Sequence, residues 1–141
     1  MKLLLLCASF IVLLSLADAR VYSTINGSLL LNDSSIDFAR NEFKYLVVNF
    51  DKACKWCHIF RPHLKQARLD LKAENAGVVF GWMNLKTNKV SEEKYKVVNH
   101  PTQILFIKGY NSYFRYYGTK NANSLKAWIK QKLVDMKKLG Y

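Results

Sequence analysis

The chain has 141 residues, 50% of them hydrophobic, and a formal net charge of +12 at pH 7. That length accommodates one domain with a core of its own. Three cysteines are too few for a small disulfide-stapled scaffold, which shows four, six or eight spaced ones. The cationic balance reads as a solvated face, also suited to acidic substrates or an anionic surface, and no nucleic-acid-binding motif accompanies it.

In chain order the first element is a targeting segment. Met1-Lys2 is a positive start, Leu3 to Leu16 is almost continuously apolar, and Ala17-Asp18-Ala19 has the small-x-small pattern of a signal-peptidase site. Residues 1–19 therefore read as a cleaved secretory signal, with Arg20 beginning the mature chain. The apolar run falls short of the roughly 20 residues that span a bilayer, so no membrane anchor is expected after cleavage. Cys7 leaves with the signal, and the mature chain keeps Cys54 and Cys57. The C-terminus, Lys138-Leu139-Gly140-Tyr141, carries no retention tetrapeptide. The expected destination is the cell exterior or the endoplasmic reticulum lumen. Residues 20–27 read as an N-terminal extension, 28–138 as the domain and 139–141 as a tail. Asn26-Gly27-Ser28 and Asn32-Asp33-Ser34 match the N-glycosylation acceptor pattern.

Ser28 to Leu31 is a short apolar strand. Asp33-Ser34-Ser35 supplies N-cap side chains for a helix whose apolar face is Ile36, Phe38, Ala39 and Phe43. Tyr45 to Phe50 is β-rich and nearly all apolar, as a buried central strand should be. Cys54 to Glu74 reads as a long helix with Ile59, Leu64, Ala67 and Leu71 on one face, interrupted by Pro62. Gly77 to Met83 is the next buried strand, and a short helix capped by Ser91 follows. Gln103 to Ile107 and Ser112 to Tyr117 flank the turn Lys108-Gly109-Tyr110-Asn111 and predict an antiparallel hairpin. Ser124 caps a last helix reaching Lys138, with Leu125, Trp128, Ile129, Leu133 and Met136 facing the core. Strands alternating with helices and ending in a hairpin predict an α/β domain with helices on both faces of a central sheet.

The chemistry-bearing segment is Cys54-Lys55-Trp56-Cys57, placed just after a central strand and at the first turn of a helix. Unpaired N–H groups and the positive dipole end there stabilise a thiolate, the nucleophile of disulfide exchange. Lys52 and Lys55 add to the same effect. Cys54 is the exposed attacker, and Cys57, one turn inward, resolves the mixed disulfide. Other chemistries fit the letters less well. The pair could be a structural disulfide without turnover. Cys54-Lys55-Trp56-Cys57-His58 spells a c-type haem attachment, with Met83, Met136 or His100 as distal ligand, yet the β-rich segments do not suit a cytochrome. A zinc site from both cysteines and two of His58, His63 and His100 lacks a second close ligand pair. Tyr110, Tyr113, Phe114, Tyr116 and Tyr117 read as a hairpin packing alternately inward and outward, or as an exposed surface for unfolded polypeptide.

The sequence resembles the thioredoxins, and especially the catalytic domains of protein disulfide isomerases, over roughly Ser28 to Lys138. The resemblance rests on the Cys54–Cys57 spacing, on Pro62 five residues after the second cysteine, and on His100-Pro101-Thr102 at the family's cis-proline position. It implies a three-layer thioredoxin-like fold, a central mixed sheet flanked by helices. It also implies a thiol–disulfide oxidoreductase or isomerase with Cys54 and Cys57 catalytic. His100, Pro101, Thr102 and Trp56 would contact substrate, and Lys55, Asn49, His58 and Lys120 would tune the pair. Its partners would be protein or peptide thiols and disulfides, with glutathione or another redox protein, and no metal or organic cofactor. The chain departs from the family pattern at several places. Ala53 stands where tryptophan is usual, Asn49 where the central strand carries a buried acid, and Lys120 near the isomerases' modulating arginine. Asp51 is close in sequence to the missing acid but is expected to point elsewhere. These departures motivate the other reading, a non-catalytic binding or chaperone-like module with a vestigial cysteine pair.

Overall fold

The structure is a computed structural model and describes residues 21–141; the expected signal segment and the Arg20 start lie outside the described residues. The elements are β1 (Thr24–Ile25), β2 (Ser28–Leu31), α1 (Ile36–Glu42), β3 (Tyr45–Asp51), α2 (Lys55–Ala73), β4 (Val78–Asn84), α3 (Lys89–Lys94), β5 (Thr102–Ile107), β6 (Phe114–Arg115) and α4 (Ala122–Lys138). The six strands form one mixed sheet in the order β1-β2-β4-β3-β5-β6. β2, β4 and β3 run parallel, and β5 joins β3 antiparallel. No helix among the described residues is long and apolar enough to cross a membrane.

β3 is buried at every position, and its pleat divides the core in two. Tyr45 and Val47 face the layer built by α2 and α4, with Phe60, Leu64, Leu71, Ile129 and Leu133. Leu46, Val48 and Phe50 face the other layer, with Ile36 and Ala39 of α1 and with Tyr95, Leu85 and Met83. The nearly unbroken apolar run of β3 follows from this two-sided burial. Each large side chain buried there contributes roughly 1.5–3 kcal/mol relative to exposure.

Several local expectations need correction. Within the N-terminal extension, Thr24 and Ile25 pair antiparallel with Leu29 and Ser28 and add an edge strand to the sheet. Asn26 and Gly27 between them both have positive φ, 50° and 81°, as a two-residue hairpin turn requires. Ser35, one of the three expected cap residues, is the N-cap of α1 but makes no side-chain cap hydrogen bond. Asn32 Oδ1 accepts from the backbone N–H groups of Ser34 and Ser35, while Asp33 Oδ1 accepts from Ser91 N in the first turns of α3. Ser91 is thus inside α3 and buried, and Asn88 is its N-cap residue. Phe38 and Ile59, expected inward, are 56% and 43% exposed; Phe60 takes the core position instead. Asn121 rather than Ser124 caps α4, its side chain accepting from Ser124 N.

Candidate active site

Cys54 is the N-cap residue of α2, with extended backbone, and Cys57 lies in the first turn. The two are disulfide-bonded, with Cα atoms 4.9 Å apart. Cys54 Sγ also accepts from Cys57 N at 3.1 Å, so this sulfur sits where the unpaired N–H groups of the helix converge. Cys57 is fully buried and Cys54 is partly exposed. Ala53, just before the pair, has φ of 56°, and its N–H donates to Asp51 Oδ1 at 2.7 Å. This left-handed residue turns the chain sharply from β3 into α2.

The loop leading into β5 faces the pair. The His100–Pro101 peptide is cis, and the His100 carbonyl oxygen lies 3.7 Å from Cys54 Sγ. Pro101 and Thr102 are buried, and Thr102 Oγ1 donates to the Asn99 carbonyl. Of the expected substrate contacts, Trp56 is the exposed one, at 59%. Burial, then the positive charge of Lys52, pushes the His100 pKa below its usual value. Its Nε2 is buried without a hydrogen-bond partner, 3.8 Å from Glu92 Oε2.

Asn49 occupies the middle of β3, 3% exposed. Its Oδ1 accepts from Gln103 Nε2 at 2.9 Å; Gln103 Oε1 accepts from Lys120 Nζ at 3.0 Å; Lys120 Nζ also donates to the Pro101 carbonyl at 3.0 Å. Lys120 thus touches the Pro101 loop directly and is linked to Asn49 of β3 through Gln103, and burial lowers its pKa. Asp51 points away from this chain. Burial alone would raise its pKa, but hydrogen bonds from Arg61, the Ala53 N–H and Trp82 prevail and hold it below the usual carboxylate range. Arg61 binds it through Nε at 3.1 Å and a second nitrogen at 3.0 Å.

His58 is exposed and meets Arg61 through Nδ1 at 3.0 Å. Lys52 is paired with Glu92 at 3.0 Å, whereas Lys55 makes no ion pair among the described residues. His63 Nδ1 accepts from Ala122 N in α4. Among the described residues no group of three His, Cys, Asp or Glu side chains could hold a metal, which corrects the zinc alternative. The mixed sheet, with Met83 and Met136 each buried inside a core layer, likewise corrects the haem alternative. The aromatic run is mostly consumed by packing. Tyr113 stands edge-on to Tyr95, Tyr116 packs on Trp128, and Tyr110 stacks on Phe114; Tyr117 is 84% exposed.

Sequence reasoning missed Arg61, Gln103, Trp82 and Glu92. A signal existed for Gln103, an amide inside the apolar run Thr102–Ile107. None was read for the other three: Arg61 and Trp82 meet at Asp51, and Glu92 draws Lys52 from another segment.

Comparison with known structures places this geometry. The chain resembles human ERp44 in its zinc-bound form (23% identity, TM-score 0.67), covering 74% of this chain and 30% of that one. It resembles the first thioredoxin domain of mouse protein disulfide-isomerase A4 (20%, 0.70), with 82% and 81% covered. It also resembles oxidised mitochondrial thioredoxin 3 of Saccharomyces cerevisiae (20%, 0.63), with 74% and 94% covered. The chain thus spans about a third of ERp44 but most of the two single domains. No curated protein sequence matches it significantly. The sequence matches the Thioredoxin family over residues 33–131, which takes in both cysteines, Pro62 and Pro101. This chain belongs to the thioredoxin family.

Proposed function

We propose that the protein is a secretory-pathway thiol–disulfide oxidoreductase of the disulfide-isomerase type, acting on protein disulfides through Cys54 and Cys57. The observation that carries this reading is the asymmetric pair at the start of α2, Cys54 partly exposed beside the His100 carbonyl and Cys57 buried behind it. In the reduced protein the Cys54 thiolate attacks one sulfur of a substrate disulfide. One S–S bond forms, the substrate's breaks, and one substrate sulfur leaves as thiolate. Cys57 then gives up its proton and attacks Cys54 Sγ, which releases the second substrate sulfur. Two electrons pass to the substrate, and the protein is left as the Cys54–Cys57 disulfide. Run backwards, the same steps donate a disulfide. His100, Pro101, Thr102 and Trp56 form the substrate side of the site. Lys55, His58, Asn49 and Lys120 set its electrostatics.

The test is a glutathione redox titration with thiol trapping, beside Cys54→Ser and Cys57→Ser. A reversible potential in the range of about −180 to −270 mV, loss of exchange in Cys54→Ser and trapped mixed disulfides in Cys57→Ser are expected. A pair that stays oxidised throughout, or a Cys54→Ser variant that still exchanges, overturns the reading. Asn49 favours a second reading, because an amide cannot accept the proton of Cys57 as a carboxylate would. In that case the protein is a binding module of the same fold, and Cys54→Ser leaves its biological role intact.

A further inference from the structure

Lys52, Lys89 and His100 converge on one carboxylate, that of Glu92 in α3. Two buried neighbours pin this short helix. Ser91 donates its N–H to Asp33 Oδ1, and the Tyr95 ring packs on Phe50. From that fixed base Glu92 Oε2 accepts from Lys52 Nζ at 3.0 Å and lies 3.8 Å from His100 Nε2; Oε1 lies 3.5 Å from Lys89 Nζ. Lys52 belongs to the turn out of β3, two residues before Cys54. His100 belongs to the loop across from it, and its carbonyl oxygen is 3.7 Å from Cys54 Sγ. One side chain of α3 thus spans both segments that flank Cys54.

A lysine ammonium rides on a flexible four-carbon stem, so its position is set by what it binds. Bound to Glu92, the Lys52 charge is offset and held on α3. The His100 ring shares the same oxygen. Its Nε2 is buried without a hydrogen-bond partner, and Glu92 is the acceptor beside it. Burial opposes a proton on that ring, as do Lys52 and Lys89, whereas Glu92 and Asp51 favour one. Around Cys54 itself stand Lys55 and His58 of α2 and the Asp51–Arg61 pair. We propose that Glu92 is a positioning residue of the cysteine pair: it restrains Lys52 and the His100 loop from α3, and so limits the ionisation of the Cys54 thiol. The inference rests on the reading of Cys54 as the attacking group. A unit charge about 10 Å from a thiol changes its ionisation by about twofold at the dielectric of water and by about fifteenfold at an effective dielectric of about 20. Removing the Glu92 charge, and with it the tether on Lys52, should therefore increase the Cys54 thiolate about fivefold.

The test is the pH dependence of iodoacetamide alkylation, on the chain from Arg20 with Cys57→Ser, in which Cys54 is the one remaining thiol. Glu92→Gln is expected to lower the midpoint, with about fivefold more thiolate at any pH well below it. Adding Lys52→Met removes both charges of the pair and should bring the thiolate content back to within about twofold of the starting protein. Glu93→Gln removes an exposed carboxylate from the same helix, one with no ion pair among the described residues, and should change it less than about twofold. The His100 ring, followed by NMR, should titrate at lower pH in Glu92→Gln. A role confined to stability would leave the Cys54 midpoint where it was. The proposal is overturned by an unmoved midpoint in Glu92→Gln, by an equal shift in Glu93→Gln, or by a double variant that keeps the full shift. Lys52→Met alone, which leaves Glu92 uncompensated, should raise the midpoint; a fall overturns the proposal independently of how Glu92→Gln folds. The readout needs a thiol and no turnover. Absence of disulfide exchange in the original protein therefore strikes the oxidoreductase reading, and an unmoved midpoint strikes this one.

Discussion

Replacing Asn49 by aspartate keeps the shape of the side chain and makes the centre of β3 ionisable. The position is 3% exposed. Burial raises a carboxyl pKa by up to about 3–5 units when it is complete. One hydrogen bond to the ionised form remains, from Gln103 Nε2 at 2.9 Å, and takes back about one unit. The folded-state pKa should therefore lie about 3 units above the unfolded value of about 3.9. At about 1.4 kcal/mol per unit, the ionised variant loses about 4 kcal/mol of stability. The sign is fixed by the raised pKa. Below about pH 4 the aspartyl group is neutral in both states and costs little. As pH rises the unfolded state ionises first, and stability falls until the folded state also ionises near about pH 7, where the loss levels off. Urea denaturation of both proteins across this range, taking the difference at each pH, isolates the effect because the other groups cancel. A difference constant to within about 0.5 kcal/mol would refute the picture of a dry strand centre with a single donor.

Two further outcomes follow from the residues flanking the pair. Asp51→Asn removes the carboxylate that holds Arg61, Trp82 and the Ala53 N–H, and should cost about 2 kcal/mol at neutral pH by thermal or urea unfolding; the partly exposed Arg61 keeps the figure below that of a fully buried pair. Because the Asp51 pKa is depressed, its stabilisation is present above about pH 4 and lost as pH falls through the folded value, so the variant should show a shallower acid limb than the original protein. Ala53→Gly relieves a side chain held at φ 56° and should raise stability by about 0.5–1 kcal/mol, the strain relieved exceeding the added entropy of the unfolded chain; a fall in melting temperature would count against it.

The fold was legible because its signals are local and repeated. The all-apolar β3, the 3.6-residue spacing of Leu64, Ala67 and Leu71, and the two strands around Gly109 each declare an element and its buried face. Where a residue's fate depends on what packs against it, the pattern misled. Phe38 and Ile59 sit at helical spacing yet face solvent, because Ala39 and Phe60 already fill the layers beneath them. The hairpin at Asn26-Gly27 was readable from the dipeptide alone, which favours positive φ at both turn residues, but its strand of two residues is too short to show alternation. At the site, Cys54, Cys57 and Pro101 were recognisable by spacing. The amide chain from Asn49 to Lys120 was not, because hydrogen bonds between β3, β5 and the loop before α4 join residues as many as 54 positions apart.

The replacement of a buried acid by this amide chain changes the balance of charge around the pair. The nearby acids are each matched by cations: Asp51 by Arg61, and Glu92 by Lys52 and Lys89. No carboxylate is left at the centre of β3 to oppose ionisation of a neighbouring thiol. What remains uncompensated at Cys54 is positive, the N-terminal end of α2 and the unpaired Lys55. Both favour thiolate over thiol, and a stabilised thiolate stabilises the reduced pair relative to the disulfide. A protein whose reduced form is favoured gives its disulfide away. We therefore expect a glutathione redox titration to give a potential nearer about −180 mV than about −270 mV. Lys55→Glu, which replaces a cation that makes no ion pair among the described residues with an anion, should move the potential read by the same titration toward the reducing end.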